Sequence, residues 1–319
     1  MADYDIFNGD ADGICALLQL RLAEPRNATL ITGVKRDIDL LKQVPAQSGD
    51  RLTVLDISMD KNHDALETAL NAGADVLYFD HHFPGEIPDA SNLSANIDTD
   101  AETCTGLLVN KHLNGAHLRW AVTAAYGDNL HAAAKSAAAS LNLSDAELAQ
   151  LEELGTLLNY NGYGATVDDL FFAPDELFQK LLPYANPFDF IASDKNFAAL
   201  KEGYQQDMAN AKSIAPSLAT DNCALFMFPQ ESWSRRVSGV YGNELARDYP
   251  DRAHALLSDI GGNNYQVSVR APINRRDGAD ELCRQFDTGG GRKAAAGVNK
   301  LPTSELERFT EAFETQFAA

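Results

Sequence analysis

Short apolar runs recur roughly every 20–25 residues along the first quarter of the chain, each followed by a polar turn and then by residues at helical spacing. Residues 4–7 form the first run and lead into a Gly-Asp turn. Ile14, Leu17, Leu18 and Leu22 then mark one face of a helix. Residues 28–34, 52–57 and 76–79 read as further strands, with helices over 37–44 and 62–72 between them. Strands alternating with helices require crossover connections, and crossovers make a parallel sheet. The spacing predicts an α/β fold.

The rest of the chain changes character. From about 103 to 187 the pattern is mainly helical, with an alanine-rich stretch at 132–139 and a Gly/Asn/Tyr loop at 158–164. Residues 188–213 read as a long polar helix ended by Pro216. Beyond it, 223–228, 253–258 and 265–270 read as strands, with helices near 239–247, 279–286 and 304–317. The expected organisation is an N-terminal parallel-sheet domain with a helical extension (1–187), a linker helix (188–217) and a smaller C-terminal α/β domain (218–319).

Chemistry-bearing residues gather where the N-terminal strands end. The first strand runs into Asn8-Gly9-Asp10-Ala11-Asp12-Gly13, the third ends at Asp56, and the fourth runs into Asp80-His81-His82. Ligands of open parallel sheets bind outside the carboxyl ends of the strands, so these groups should converge in one crevice. Carboxylates packed together repel unless cations neutralise them, and carboxylates with an imidazole suit Mn²⁺ or Mg²⁺ rather than a soft metal. Each piece has an ordinary structural alternative. Asp-x-Asp-Gly can cap a helix or close an Asx-turn, Asp56 can cap a helix, and adjacent histidines can sit on a surface. Their recurrence at successive strand ends is what argues for a metal site.

Composition narrows the partners. The 319 residues carry a formal net charge of −20, which disfavours a groove for long duplex or single-stranded nucleic acid. Residues 1–217 hold 14 Lys+Arg against 32 Asp+Glu, while 218–319 hold 12 against 14. A well-solvated acidic surface accounts for most of the excess. The sharper reading is that some carboxylates bind divalent cations while the near-neutral C-terminal part presents arginines to an anionic substrate. No run approaches the ~20 apolar residues that span a bilayer, and the acidic N-terminus has no apolar signal core. Cys15, Cys104, Cys223 and Cys283 are widely spaced without a CxxC pair, which predicts reduced thiols and a cytoplasmic protein.

Asp80-His81-His82, preceded by the Asp10-x-Asp12-Gly13 turn, resembles the DHH phosphoesterase superfamily. Gly289-Gly290-Gly291-Arg292-Lys293-Ala294-Ala295-Ala296-Gly297 resembles the Gly-Gly-Gly-His-x-x-Ala-Ala-Gly signature of the associated DHHA1 substrate-binding domain. The two motifs cover essentially the whole chain in the expected order. The resemblance implies two lobes, with substrate held in the cleft between them. It also implies metal ligation by Asp10, Asp12, Asp56 and His81, with Asp56 bridging two divalent cations, Mn²⁺ or Mg²⁺. Asp128, in Ala125-Tyr126-Gly127-Asp128, is the candidate for the family's further aspartate. His82 would contact the reacting phosphate, and Asp80 would orient His81.

Two positions depart from the family pattern. Ile6 stands where many members have a histidine ligand, a histidine that the RecJ-like exonuclease branch also lacks, and Asn8 is a candidate replacement. Arg292 replaces the signature histidine, and arginine can stack on a base or clamp a phosphate. Gly289, Gly290 and Gly291 would let backbone approach a phosphate, with a following helix start adding its dipole. Ser268-Val269-Arg270 resembles the family's Ser-x-Arg and makes Arg270 a second phosphate contact. Arg235-Arg236 and Arg275-Arg276 read as solvated loop pairs; the 159–164 loop is a candidate to line the cleft, though turn chemistry alone accounts for it.

The mechanism implied is attack on phosphorus by a water shared between two ions about 3.5–4 Å apart, without a covalent protein nucleophile. The expected substrate is a short oligoribonucleotide or a linear or cyclic dinucleotide. The acidic surface favours a small substrate. 3′-Phosphoadenosine 5′-phosphate and polyphosphate stay open, whereas family II pyrophosphatases carry a different C-terminal domain. A non-catalytic nucleotide sensor is the rival of another class. No membrane partner is expected, and a homodimer is left open.

Overall fold

The computed structural model describes residues 1–318. The chain divides into two compact units between Lys201 and Glu202. Among the described residues no helix is long and apolar enough to cross a membrane, and the four cysteines are buried without forming a disulfide.

The first unit contains, in chain order, β1 (Asp3–Phe7), α1 (Ala11–Ala23), β2 (Thr29–Ile31), β3 (Arg51–Leu55), α2 (His63–Asn71), β4 (Asp75–Asp80) and β5 (Leu93–Ile97). The helical extension follows: α3 (Thr105–His112), α4 (Leu118–Gly127), α5 (His131–Ala138), α6 (Asp145–Asn161), α7 (Pro174–Leu181) and α8 (Pro187–Ser193), and then α9 (Lys195–Ser213), which begins in the first unit and continues into the second. The sheet has the order β2-β1-β3-β4-β5 with every pair parallel. The chain steps outward from β1 to β2 and then back past β1 to β3, so the topological switch point lies between β1 and β3.

One sheet face is covered by α2, where Ile6, Val54, Val76 and Tyr78 pack with Leu66 and Leu70. Ile6 is fully buried there. On the opposite face Phe7 meets Phe178 of α7 at 6.0 Å between ring centroids. Helix α1 is buried all round from Ala11 to Arg21, because α3, α4, α6 and α7 pack on it from outside the sheet. The single apolar face expected of it was too narrow a reading. Arg21, drawn into this layer, is held by Asp5 at 2.6 Å and Thr53 at 3.0 Å, so the buried charge is paired and hydrogen-bonded.

Three other expectations need correction. Residues 37–44 form only a single 3-10 turn, Leu41–Gln43, because Asp37 turns back to accept the Val34 N–H at 3.1 Å. The polar helix over 188–213 is two helices. Asp194 has extended backbone (ψ 125°), and its Oδ1 accepts the Asn196 N–H at 2.7 Å, starting α9 afresh. Residues 158–161, read as loop, are the last turn of α6, whose start is fixed by a Ser144/Glu147 capping box.

The second unit adds β6 (Leu218–Ala219), β7 (Cys223–Phe228), α10 (Ser232–Asp248), β8 (Ala253–Gly261), β9 (Asn264–Arg270), α11 (Ala279–Cys283), β10 (Gly289–Arg292), β11 (Ala295–Pro302) and α12 (Leu306–Gln316). Its sheet order is β10-β11-β9-β8-β7-β6. Val267, Val269, Ala296 and Val298 pack with Leu282, Phe309 and Phe313 of α11 and α12. Arg235 and Arg236 are not in a loop. They lie in the first turns of α10, and Arg236 Nε is paired with Asp207 at 2.8 Å.

Candidate metal centre

The carboxyl ends of β1, β3 and β4 deliver their polar groups to one place, beside the switch point. Asp10 is the N-cap of α1, with Oδ1 accepting the Asp12 N–H at 3.0 Å and the Gly13 N–H at 3.1 Å. Its Oδ2 is left facing the centre. The capping reading therefore holds through Oδ1, and Oδ2 remains on the side of the other carboxylates. Asp12 reaches the start of α3, where its oxygens accept the Thr105 and Gly106 N–H groups, each at 2.7 Å.

Asp56 has a left-handed backbone (φ 59°), a conformation aspartate and asparagine tolerate better than most residues. That geometry turns its side chain inward at the end of β3, and Oδ1 accepts Thr105 Oγ1 at 3.1 Å. His81 donates Nδ1–H to the Thr103 carbonyl at 2.9 Å, since a carbonyl can only accept. Its Nε2 then lies 3.4 Å from Asp56 Oδ1 and 3.7 Å from Asp128 Oδ2. Asp128 caps the C-terminal end of α4. The five residues read as ligands, Asp10, Asp12, Asp56, His81 and Asp128, are thus brought together.

Asp80 departs from expectation. It is fully buried, and Oδ1 accepts the His81 main-chain N–H at 2.9 Å and His82 Nδ1–H at 2.7 Å. It therefore orients His82, while Thr103 orients His81, because the turn after β4 places the second imidazole back over the carboxylate. Asn8 is also committed elsewhere: its Oδ1 accepts the Asp10 N–H at 3.2 Å and its Nδ2 donates to the Lys35 carbonyl at 3.2 Å.

The charges act strongly on one another. Burial pushes Asp56 well above the usual carboxylate range, and the charges of Asp12 and Asp10 add to it. Burial also raises Asp12, with Asp128 next in weight. For His81 burial acts downward, but the bond to Asp56 and the charges of Asp56, Asp12 and Asp128 outweigh it and lift it to about 10. A divalent cation among them would ease this repulsion. Candidate donor atoms of Asp12, His81 and Asp128 lie within 4.8 Å of one another, and so do those of Asp56, His81 and His82. Hard carboxylate oxygens with one or two imidazoles form a donor set that fits Mn²⁺ or Mg²⁺.

Lys35, Thr105 and Gly106 belong to this centre and were not singled out from sequence; Asn159, in the loop offered as a cleft lining, belongs to it as well. Lys35 follows β2 at the same sheet edge, and its Nζ is ion-paired with Asp10 and lies 3.5 Å from Asp128. Asn159 Oδ1 accepts from the same Nζ at 2.9 Å. The signal that could have found Lys35 was its position after a strand of the sheet. Gly162 packs its backbone against Asp10, 3.0 Å from the place a Cβ would take, so the 158–164 segment lines the centre rather than merely turning.

In the second unit, register brings distant motifs into adjacent strands. Gly290 pairs with Gly297, and Gly297 with Ser268; Arg292 pairs with Ala295, and Ala295 with Arg270. Arg270 Nε donates to Asn243 Oδ1 at 2.7 Å, and a second nitrogen donates to Ser268 Oγ at 3.1 Å. The expected helix start after Gly291 is absent. Residues from Ala295 continue as β11, because Ala-Ala-Gly pairs back along β10 and onto β9. Arg275 and Arg276 are exposed, in agreement with the solvated reading.

Residues 4–140 match the model of the DHH family, N-terminal domain. No curated protein sequence matches the chain. Among solved structures, exonuclease RecJ bound to manganese superposes with a TM-score of 0.67 at 16% identity, covering 99% of this chain and 90% of that one. The pGpG-specific phosphodiesterase PggH of Vibrio cholerae gives a TM-score of 0.59 at 16% identity, over 99% of both chains. RecJ of Thermus thermophilus in complex with Mn²⁺ gives 0.63 at 18% identity, over 99% of this chain and 52% of that one. At such identities these likenesses speak for the fold.

Proposed function

From the match of residues 4–140 to the model of the DHH family, N-terminal domain, we propose that the chain is a metal-dependent phosphodiesterase acting on short oligoribonucleotides or dinucleotides. The observation that carries the reading is the convergence of Asp10, Asp12, Asp56, Asp128 and His81 beside the β1/β3 switch point, with His81 held so that Nε2 faces the carboxylates. Those residues would hold two divalent cations. When bound, such ions supply Lewis acidity toward phosphoryl oxygens and lower the pKa of water.

The chain's own residues supply orientation. Thr105, Gly106 and Thr103 fix Asp12, Asp56 and His81 by hydrogen bonds, so the donor set is preorganised and little reorganisation accompanies the reaction. His82 is the more open imidazole, and Asp80 holds its Nδ1 proton. Its Nε2 is the nitrogen left to face a phosphoryl oxygen. The strongly acidic surface and the fold likeness to a pGpG-specific phosphodiesterase over 99% of both chains support a small dinucleotide over a long strand.

The test is Mn²⁺-dependent turnover of pApA, pGpG, a five-nucleotide RNA, cyclic di-AMP, 3′-phosphoadenosine 5′-phosphate and polyphosphate, with an Asp56→Ala/His81→Ala control. Release of mononucleotide from the linear substrates, lost in the control, is the expected result. Tight nucleotide binding without turnover under any divalent ion overturns the catalytic reading in favour of a sensor.

A further inference from the structure

Lys35 brings a fixed positive charge into the carboxylate cluster. Its main chain is clamped on both sides: its N–H donates to the Gly162 carbonyl at 2.8 Å, and its carbonyl accepts from Asn8 Nδ2 at 3.2 Å. From that anchor the side chain reaches Asp10 Oδ2, Asn159 Oδ1 at 2.9 Å and Asp128 Oδ1 at 3.5 Å, with the Tyr163 ring centroid 5.7 Å away.

The oxygens it takes are the ones a cation would use. Asp10 Oδ1 is occupied in capping α1, so Oδ2 is the oxygen left for the centre, and Lys35 holds it. Asp128 is divided in the same way, with Oδ1 toward Lys35 and Oδ2 toward His81. Among the described residues the ammonium's ion pairs are with Asp10 and Asp128, not with Asp12 or Asp56. The cluster therefore has two unlike sides. On one, the carboxylates face an imidazole nitrogen that can itself become a metal ligand. On the other, they face a tethered ammonium that cannot ligate a metal.

We propose that Lys35 is a built-in competitor for the cation position beside Asp10. The position formed by Asp12, Asp56, His81 and Asp128 then fills first, and the Asp10 position fills only as the ammonium withdraws. This inference rests on the metal-dependent reading above and adds to it an order of filling. An ammonium and a divalent ion cannot share the same oxygen without strong repulsion in a site of low dielectric. Asn159, which accepts from Nζ, is the positioning residue that holds the competitor in place.

Calorimetric titration of the full chain with Mn²⁺, paired with electron paramagnetic resonance of the same samples, tests this without reference to turnover. The expected wild-type result is two steps whose Kd values differ by about tenfold or more, with the spin-coupled Mn²⁺ pair appearing only in the second. Lys35→Gln should tighten the second step by about tenfold and leave the first in place. Lys35→Arg, which keeps the charge, should preserve the separation. Should Lys35→Gln fail to fold in chelator, Asn159→Ser loosens the ammonium while leaving every carboxylate, and should narrow the gap. Equal steps in the wild type, or a second step unchanged in both Lys35→Gln and Asn159→Ser, overturn the inference while leaving the metal reading intact. Absence of Mn²⁺ binding in every protein overturns the metal reading, and the inference with it.

Discussion

Asp80 Oδ1 accepts the Nδ1–H of His82 at 2.7 Å from a fully buried position, so the carboxylate of the Asp80-His81-His82 run steadies the second histidine's ring rather than the first's. Replacing it by asparagine keeps the shape but weakens the hydrogen bond that orients the His82 ring. Asp80→Asn is expected to lower kcat by about 10- to 100-fold. Mn²⁺ affinity should stay near wild type, since His81 is held by Thr103. A large loss of Mn²⁺ affinity with kcat preserved would contradict this division of labour.

Asp56 combines a left-handed backbone with a carboxyl raised by burial and by the charges of Asp12 and Asp10. Its raised folded pKa makes the ionised form costly at neutral pH when no metal is bound. Asp56→Asn tolerates the backbone and removes that charge, so in chelator the variant should melt at or above the wild-type temperature. In Mn²⁺ it should lose the metal-dependent gain in stability and nearly all turnover. Asp56→Ala should melt lower than the asparagine variant, by about 1–2 kcal/mol for the left-handed conformation.

The triple glycine offers a sharper dissection. A Cβ at Gly289 would lie 1.8 Å from the Cys283 carbonyl oxygen, and one at Gly291 2.5 Å from Ala296 Cα, whereas one at Gly290 meets nothing within 4 Å. Packing explains two of the glycines and does not explain the third, Gly290. Gly289→Ala should destabilise the fold by about 1–3 kcal/mol. Gly290→Ala should melt within about 0.5 kcal/mol of wild type while raising KM for a dinucleotide. An unchanged KM would remove Gly290 from substrate contact.

His254, on β8, is fully buried, and burial followed by the Arg252 charge lowers its pKa from 6.5 to about 4. Between those values the unfolded chain binds a proton that the folded chain does not, so stability falls as pH drops from about 6.5 toward 4 and is fully present above 6.5. The loss amounts to about 3 kcal/mol by the bottom of that window. Chemical denaturation across pH 4–7 should show this slope, and His254→Gln should flatten it. An equal slope in the variant would assign the acid sensitivity to other groups.

The sequence by itself determined the α/β class, the parallel arrangement of the first strands and the meeting of Asp10, Asp12, Asp56 and His81. Strand periodicity is local, and a parallel sheet delivers all its strand ends to one edge. Tertiary structure decided what stands opposite those groups. Lys35 meets Asn159 across 124 positions, and Asp12 meets the Thr105 N–H across 93. No spacing rule encodes such partners, because they are chosen by how α3 and α6 pack on α1. The same holds for the second unit, where Gly290, Gly297 and Ser268 align only through pairing of β10, β11 and β9. It holds also for Asp80, whose histidine was chosen by the course of one turn. Periodicity reports which face a residue presents, and long-range packing determines what that face meets.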